Sequence, residues 1–156
     1  MDAINTHQVF DWLWTSGQLS EDDIARLPAL GIEAVVNLAL PTSTNALAGE
    51  AEMVARLGIP YFQIPVQWEN PRIEQLELFF SLLAALQGRK LWVHCAMNMR
   101  ASVFVYLYRT LVLGESAVDA AFPLREVWQP DAVWQSFIDA ALARHAEARA
   151  RPGGRP

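Results

Sequence analysis

The run Val93-His94-Cys95-Ala96-Met97-Asn98-Met99-Arg100-Ala101-Ser102 contains the chain's single cysteine and, separated from it by four residues, an arginine. Sulfur attacks electrophiles as thiolate, and a positive field favours that form. A guanidinium offers a planar fork of donors that matches two oxygens of a tetrahedral anion. If a helix opens between Cys95 and Arg100, its first amides have no internal partners. Together with the helix dipole they seat an anion. The chemistry available to this set is attack by Cys95 on an oxyanion held by Arg100 and by the backbone of Ala96, Met97, Asn98, Met99 and Arg100. Ala96 is small enough to let those amides approach a ligand. Asn98 stands where the turn needs positive φ, which Asn tolerates better than most residues. Met97 and Met99 would shield the loop from water, and Ser102 could donate to the sulfur.

These residues need a frame that delivers a strand end and a helix start at one point. Leu91 to His94 is an apolar strand running directly into Cys95, and Arg100 to Leu113 reads as the helix that follows. Leu13 to Ser16 reads as an earlier strand. Ser20 opens a helix in the capping-box pattern, with Asp23 three residues on, and Gly31 ends it. Glu33 to Leu40 is a β-branched apolar run, the pattern of a strand covered on both faces. Helix Glu50 to Leu57, strand Tyr61 to Val66 and a helix with Ile73, Leu76, Phe80 and Leu83 on one face come next. Two helices, Ser116 to Val127 (interrupted by Pro123) and Asp131 to Ala150, complete the pattern. Strands alternating with helices predict an α/β fold, with a mainly parallel sheet of about four to five strands between helices. In such sheets ligands bind at the carboxyl ends of strands, which is where Cys95 falls.

Composition bounds the function. The chain has 156 residues, 53% of them apolar and 19% charged, with net charge −5. This suits one domain over residues 1–150, and the Pro/Gly/Arg segment 151–156 reads as a disordered tail. A nucleic-acid partner is not expected without a basic face. No apolar stretch approaches the roughly 18 residues of a membrane span, and Met1 to Thr6 lacks the pattern of a signal peptide. One cysteine excludes an intramolecular disulfide and fits a reducing compartment. The sequence therefore predicts a cytoplasmic protein without a membrane partner.

His-Cys, a short loop, Arg and a nearby Ser after a buried strand resemble the signature of the dual-specificity branch of the protein tyrosine phosphatases. Trp14-Thr15-Ser16-Gly17-Gln18 before a helix, and then Gly31 to Leu38, resemble the start of that fold. The likeness runs from about Val9 to Leu142. It implies a cysteine-phosphatase fold, a phosphorylated protein or small molecule as substrate, a cysteinyl-phosphate intermediate, and neither metal nor other cofactor. His94 would orient the loop through hydrogen bonds. The family also uses a general acid on a loop after an earlier strand. The matching stretch, Ile64 to Pro71, has one carboxylate, Glu69, with Trp68 beside it overhanging the site and Gln67 able only to position water. A late loop, Arg125 to Gln129, should also approach the pocket.

One departure divides the reading. The usual loop is one residue longer, which would put the arginine where Ala101 stands. Either the loop is shortened and Arg100 takes the role, or the arginine has been lost. The first gives a phosphatase, and the second a phosphatase-like module that binds phosphate or sulfate without turnover. A rhodanese-like sulfurtransferase also starts its loop with Cys after a strand, although the Trp14 to Gln18 block and His94 count against it.

Overall fold

The structure, a computed structural model, describes residues 1–150, and the tail expected at 151–156 lies outside them. Five strands form one sheet: β1 (His7–Phe10), β2 (Leu13–Ser16), β3 (Ala34–Asn37), β4 (Tyr61–Gln63) and β5 (Leu91–His94), in the order β1-β2-β5-β3-β4. Only β1 runs antiparallel to its neighbour. The other pairings are parallel. Ser16, His94 and Asn37 share one register, so β2, β5 and β3 end at the same level. The loops leaving those ends converge there.

Side chains alternate along the central strands and divide the core in two. Ala34, Val36, Leu91 and Val93 face the larger cluster. It is built on α3 (Ile73–Ala85), α4 (Met99–Leu107) and α7 (Ala132–Ala150), with Phe79, Phe104, Trp134 and Phe137 as its bulk. Val35 and Trp92 face the smaller cluster, which α1 (Glu21–Arg26) and α2 (Glu50–Arg56) close with Ile24 and Val54. Both faces are covered, which is why β3 and β5 are apolar throughout. Two one-turn helices, α5 (Ala117–Ala120) and α6 (Leu124–Val127), pack beside α4.

The expected elements recur with shorter ends. Ser20 caps α1 in a reciprocal capping box with Asp23, as its spacing predicts. The strand expected over Glu33 to Leu40 pairs regularly only over Ala34–Asn37, and the one expected over Tyr61 to Val66 only over Tyr61–Gln63. Beyond these ends the backbone still pairs singly, Leu38 N–H to His94 O and Val66 N–H to Leu38 O. The helix expected to Leu113 is α-helical to Leu107 and π-helical over Tyr108–Val112. No helix among the described residues is long and apolar enough to cross a membrane.

Residues ahead of β1 pack against the Cys95 loop. Gly17 N–H donates to Ile4 O at 2.8 Å, Asn5 Nδ2 to Met97 O at 3.0 Å, and Asn98 Nδ2 to Asn5 O at 2.7 Å. Gly17 is required here. A Cβ at that position would run into Ile4 Cγ2 and lie 2.7 Å from Ala96 O.

Candidate active site

Strand β5 ends at His94 and α4 begins at Met99, so Cys95 to Asn98 make the turn between them. Asn98 is left-handed, φ 67°, and immediately precedes the helix. Its Nδ2 also donates to Thr15 Oγ1 at 3.0 Å, which ties the turn to β2. Two further bonds converge on Ala96 O, from Gln18 N–H at 3.0 Å and from Asn45 Nδ2 at 3.1 Å. The turn is thus held from the outside by its carbonyls. Met97 pairs with Gly17 in an isolated antiparallel bridge, whereas the amides of Ala96, Met99 and Arg100 donate to no carbonyl among the described residues. Those N–H groups are the orphan donors of a helix start.

Cys95 is fully buried, and it contributes to the wall of a cleft of about 600 Å³. Ala96, Met97, Met99 and Arg100 line the same cleft, with Trp68 and Glu69 from the loop after β4. Leu40 and the polar run Thr42, Ser43, Thr44 and Asn45, from the loop after β3, form the opposite wall. Composition at that loop gave no hint of a role beyond a turn. Met97 is 39% exposed, so its shielding of the loop is incomplete.

Arg100 has only 6% of its surface exposed. Its Nη1 donates to Val66 O at 2.9 Å, and the guanidinium carbon lies 5.9 Å from the Trp68 ring centroid. Its Nε has no partner among the described residues. A buried cation with an unused donor calls for an anion. Ala101, where the longer loop would have put arginine, is fully buried in the core. The guanidinium in the cleft is therefore that of Arg100.

Trp68 is fixed by two other indoles. Its ring packs tilted against Trp128 and Trp134, with centroids 5.3 and 5.7 Å away, and Trp134 Nε1 donates to Trp68 O at 3.0 Å. Trp128 Nε1 donates to Met99 O at 3.1 Å, which brings the late loop to the helix start as expected. Arg125 instead donates to Val118 O, away from the cleft. Glu69 is exposed at the cleft mouth, and Gln67 is exposed without lining it. Ser102 differs from expectation: its hydroxyl donates to Met99 O at 2.9 Å and so caps the first turn rather than serving the sulfur. A serine in a helix commonly bonds back to a carbonyl in this way.

Behind the turn, His94 is fully buried, with Nδ1 3.1 Å from Cys95 O and Nε2 2.6 Å from Glu50 Oε2. Glu50 also accepts from Gln18 Nε2, and the Tyr61 phenol beside it accepts from Asn37 Nδ2 at 2.9 Å. Burial raises the Glu50 carboxyl, but the hydrogen bond and charge of His94, with the Gln18 and Tyr61 hydrogen bonds, outweigh it and leave the pKa lowered. Burial and the Glu50 charge push the Tyr61 phenol up. The sequence gives no sign of Glu50 beyond an acidic residue at a helix start, where it would complement the dipole.

The comparisons agree with this geometry. The family model described as "DSP-PTPase phosphatase fused to NAD+ Kinase" matches residues 2–138. A DUF442 phosphatase-family structure from Shewanella putrefaciens CN-32 is 30% identical, with TM-score 0.82, covering 92% of this chain and 95% of that one. PTPMT1 in complex with PI(5)P has the same fold at 14% identity, with TM-score 0.77 and coverage of 93% and 99%. So has a cysteine-to-serine variant of TpbA from P. aeruginosa in complex with pTyr, at 17% identity, TM-score 0.68 and coverage of 92% and 91%. No curated protein matches the chain. With a strand-turn-helix that sets Cys95 and Arg100 on one cleft and a family model spanning nearly the whole fold, the chain belongs to the dual-specificity and protein tyrosine phosphatase-like family.

Proposed function

We propose that the chain hydrolyses a phosphomonoester through a cysteinyl-phosphate intermediate. The phosphoryl group sits on the amides of Ala96 to Arg100, with the Arg100 guanidinium on its oxygens. Cys95 thiolate attacks phosphorus, the S–P bond forms, and the bond to the leaving oxygen breaks as Glu69 gives that oxygen its proton. Water then attacks phosphorus. Glu69 takes the water's proton, the S–P bond breaks, and inorganic phosphate and the thiolate are restored. The observation that carries this reading is the convergence of Cys95, unpartnered amides at a helix start and a buried guanidinium with an unused donor on one cleft.

The substrate class is a phosphorylated protein or small molecule. Solved relatives hold a phosphoinositide, PI(5)P, in one case and phosphotyrosine in another. The full burial of Cys95 favours a second reading, a module that holds phosphate or sulfate without turnover. An aryl-phosphate assay on wild type, Cys95→Ser, Arg100→Ala and Glu69→Ala separates them. Turnover lost in Cys95→Ser, with radiolabelled phosphate trapped on the wild-type protein by acid quench, supports hydrolysis. Vanadate binding with no turnover supports the module. Equal turnover in all four proteins removes the mechanism.

A further inference from the structure

We propose that Glu50 is a positioning residue for Cys95, acting through His94 as the buried carboxylate that keeps this imidazole doubly protonated behind the nucleophile's loop. The inference rests on the reading of Cys95 as the nucleophile. It concerns a residue outside the cleft and outside the signature run. His94 has two ring nitrogens and faces two oxygens: Cys95 O, which can only accept, and a Glu50 carboxylate oxygen. A carbonyl at Nδ1 requires a proton there. At Nε2 the proton belongs either to the ring or to the carboxyl group.

The surroundings of Glu50 decide between these. Gln18 Nε2 donates to it, and the Tyr61 phenol, whose oxygen accepts from Asn37 Nδ2, lies beside it. A carboxylate that takes a donor from the segment after β2 as well as facing the His94 ring is held ionised. The Nε2 proton then stays on the ring. The titratable groups meeting here are His94 on β5, Glu50 on α2, Tyr61 on β4 and Cys95 itself.

Two consequences follow. The Nδ1–H bond fixes the Cys95 peptide plane, which sets where the turn's amides point. The imidazolium places a fixed positive charge next to Cys95, and a nearby cation favours thiolate. Glu50 thereby supplies from α2 a condition that the strand and loop cannot meet alone. It touches neither substrate nor sulfur.

Nitrogen-detected NMR of wild-type protein labelled with 15N-histidine at pH 7 tests the protonation directly and needs no variant. Both His94 ring nitrogens are expected to carry protons, and a bare Nε2 would overturn the proposal. Iodoacetamide alkylation of Cys95 across pH then tests the coupling without requiring turnover. The Glu50→Gln protein keeps the shape and loses the charge, and its alkylation rate at pH 6 is expected to fall about tenfold. The profile should shift upward by about one pH unit, since each unit is tenfold in thiolate. His94→Asn should show the same shift, and adding Glu50→Gln to it should change nothing more. Superimposable profiles for wild type and Glu50→Gln would end the idea, even if aryl-phosphate turnover itself were confirmed. The expected profiles would stand even if that turnover were absent.

Discussion

Arg100 binds in two directions at once: Nη1 is spent on Val66 O, and Nε is left for a guest. A lysine would bring charge without a fork, and it could not hold Val66 and an anion together. Arg100→Lys is expected to lower kcat on an aryl phosphate by about 10²–10³, the range seen for loss of one preorganised donor to a developing charge. Steady-state kinetics, with circular dichroism as the control for folding, check it. In the proposed mechanism Glu69 serves a different step. Proton delivery matters most for a poor leaving group, so Glu69→Gln should cost an alkyl phosphate roughly 10²-fold or more and an aryl phosphate much less. An equal loss on both substrates would remove Glu69 from the role of acid.

At the scale of elements, the segment just after β2 comes close to the Cys95 turn at Gly17. Gly17→Ala sets a methyl against Ile4 and, less forgivingly, against the Ala96 carbonyl. Overpacking of this kind typically costs about 1–3 kcal/mol, to be read as a lower midpoint in urea. The same push would displace the turn, so kcat should fall as well. Much of this architecture was legible beforehand because the signals were local: Ser20 with Asp23, Gly31 at a left-handed position, and β-branched runs between breakers. Asn98 was legible for the same reason, since a left-handed site before a helix admits few side chains. Strand β1 was not. Its His7–Phe10 run carries no alternation and pairs only at the sheet edge, with an irregular register between Gln8 and Phe10. Nor was Ser102's bond to Met99, or the partnership of Glu50 with His94 across 44 residues, because neither depends on spacing along the chain. Arg100 could be named from sequence. That it, rather than position 101, faces the cleft needed the helix phase.

Taken as a whole, the molecule places several of its acids where protonation would cost stability. Glu50 and Asp23 both titrate below their ordinary values of 4.5 and 3.8. For Glu50, burial opposes the shift and the His94 pair outweighs it; for Asp23, burial is outweighed by hydrogen bonds from the Asp2 and Ser20 amides. A lowered carboxyl binds fewer protons folded than unfolded. Its stabilisation is therefore complete above the ordinary value and is lost as pH falls through the folded one. Urea midpoints should decline on acidification below about pH 4.5, and less steeply in Glu50→Gln than in wild type. Glu50→Ala leaves His94 buried without its partner, and a loss of about 3–5 kcal/mol at pH 7 is expected from chemical denaturation. The leading residues bear on the site in a different way. Ile4 and Asn5 are stitched to Gly17, Met97 and Asn98, so residues 4 and 5 act as a splint on the back of the Cys95 turn. A purification handle or cleavage scar that pulls this splint loose would be felt at the Cys95 turn, and hydrogen–deuterium exchange at Gly17, whose N–H donates to Ile4 O, should quicken once residues 1–5 are removed.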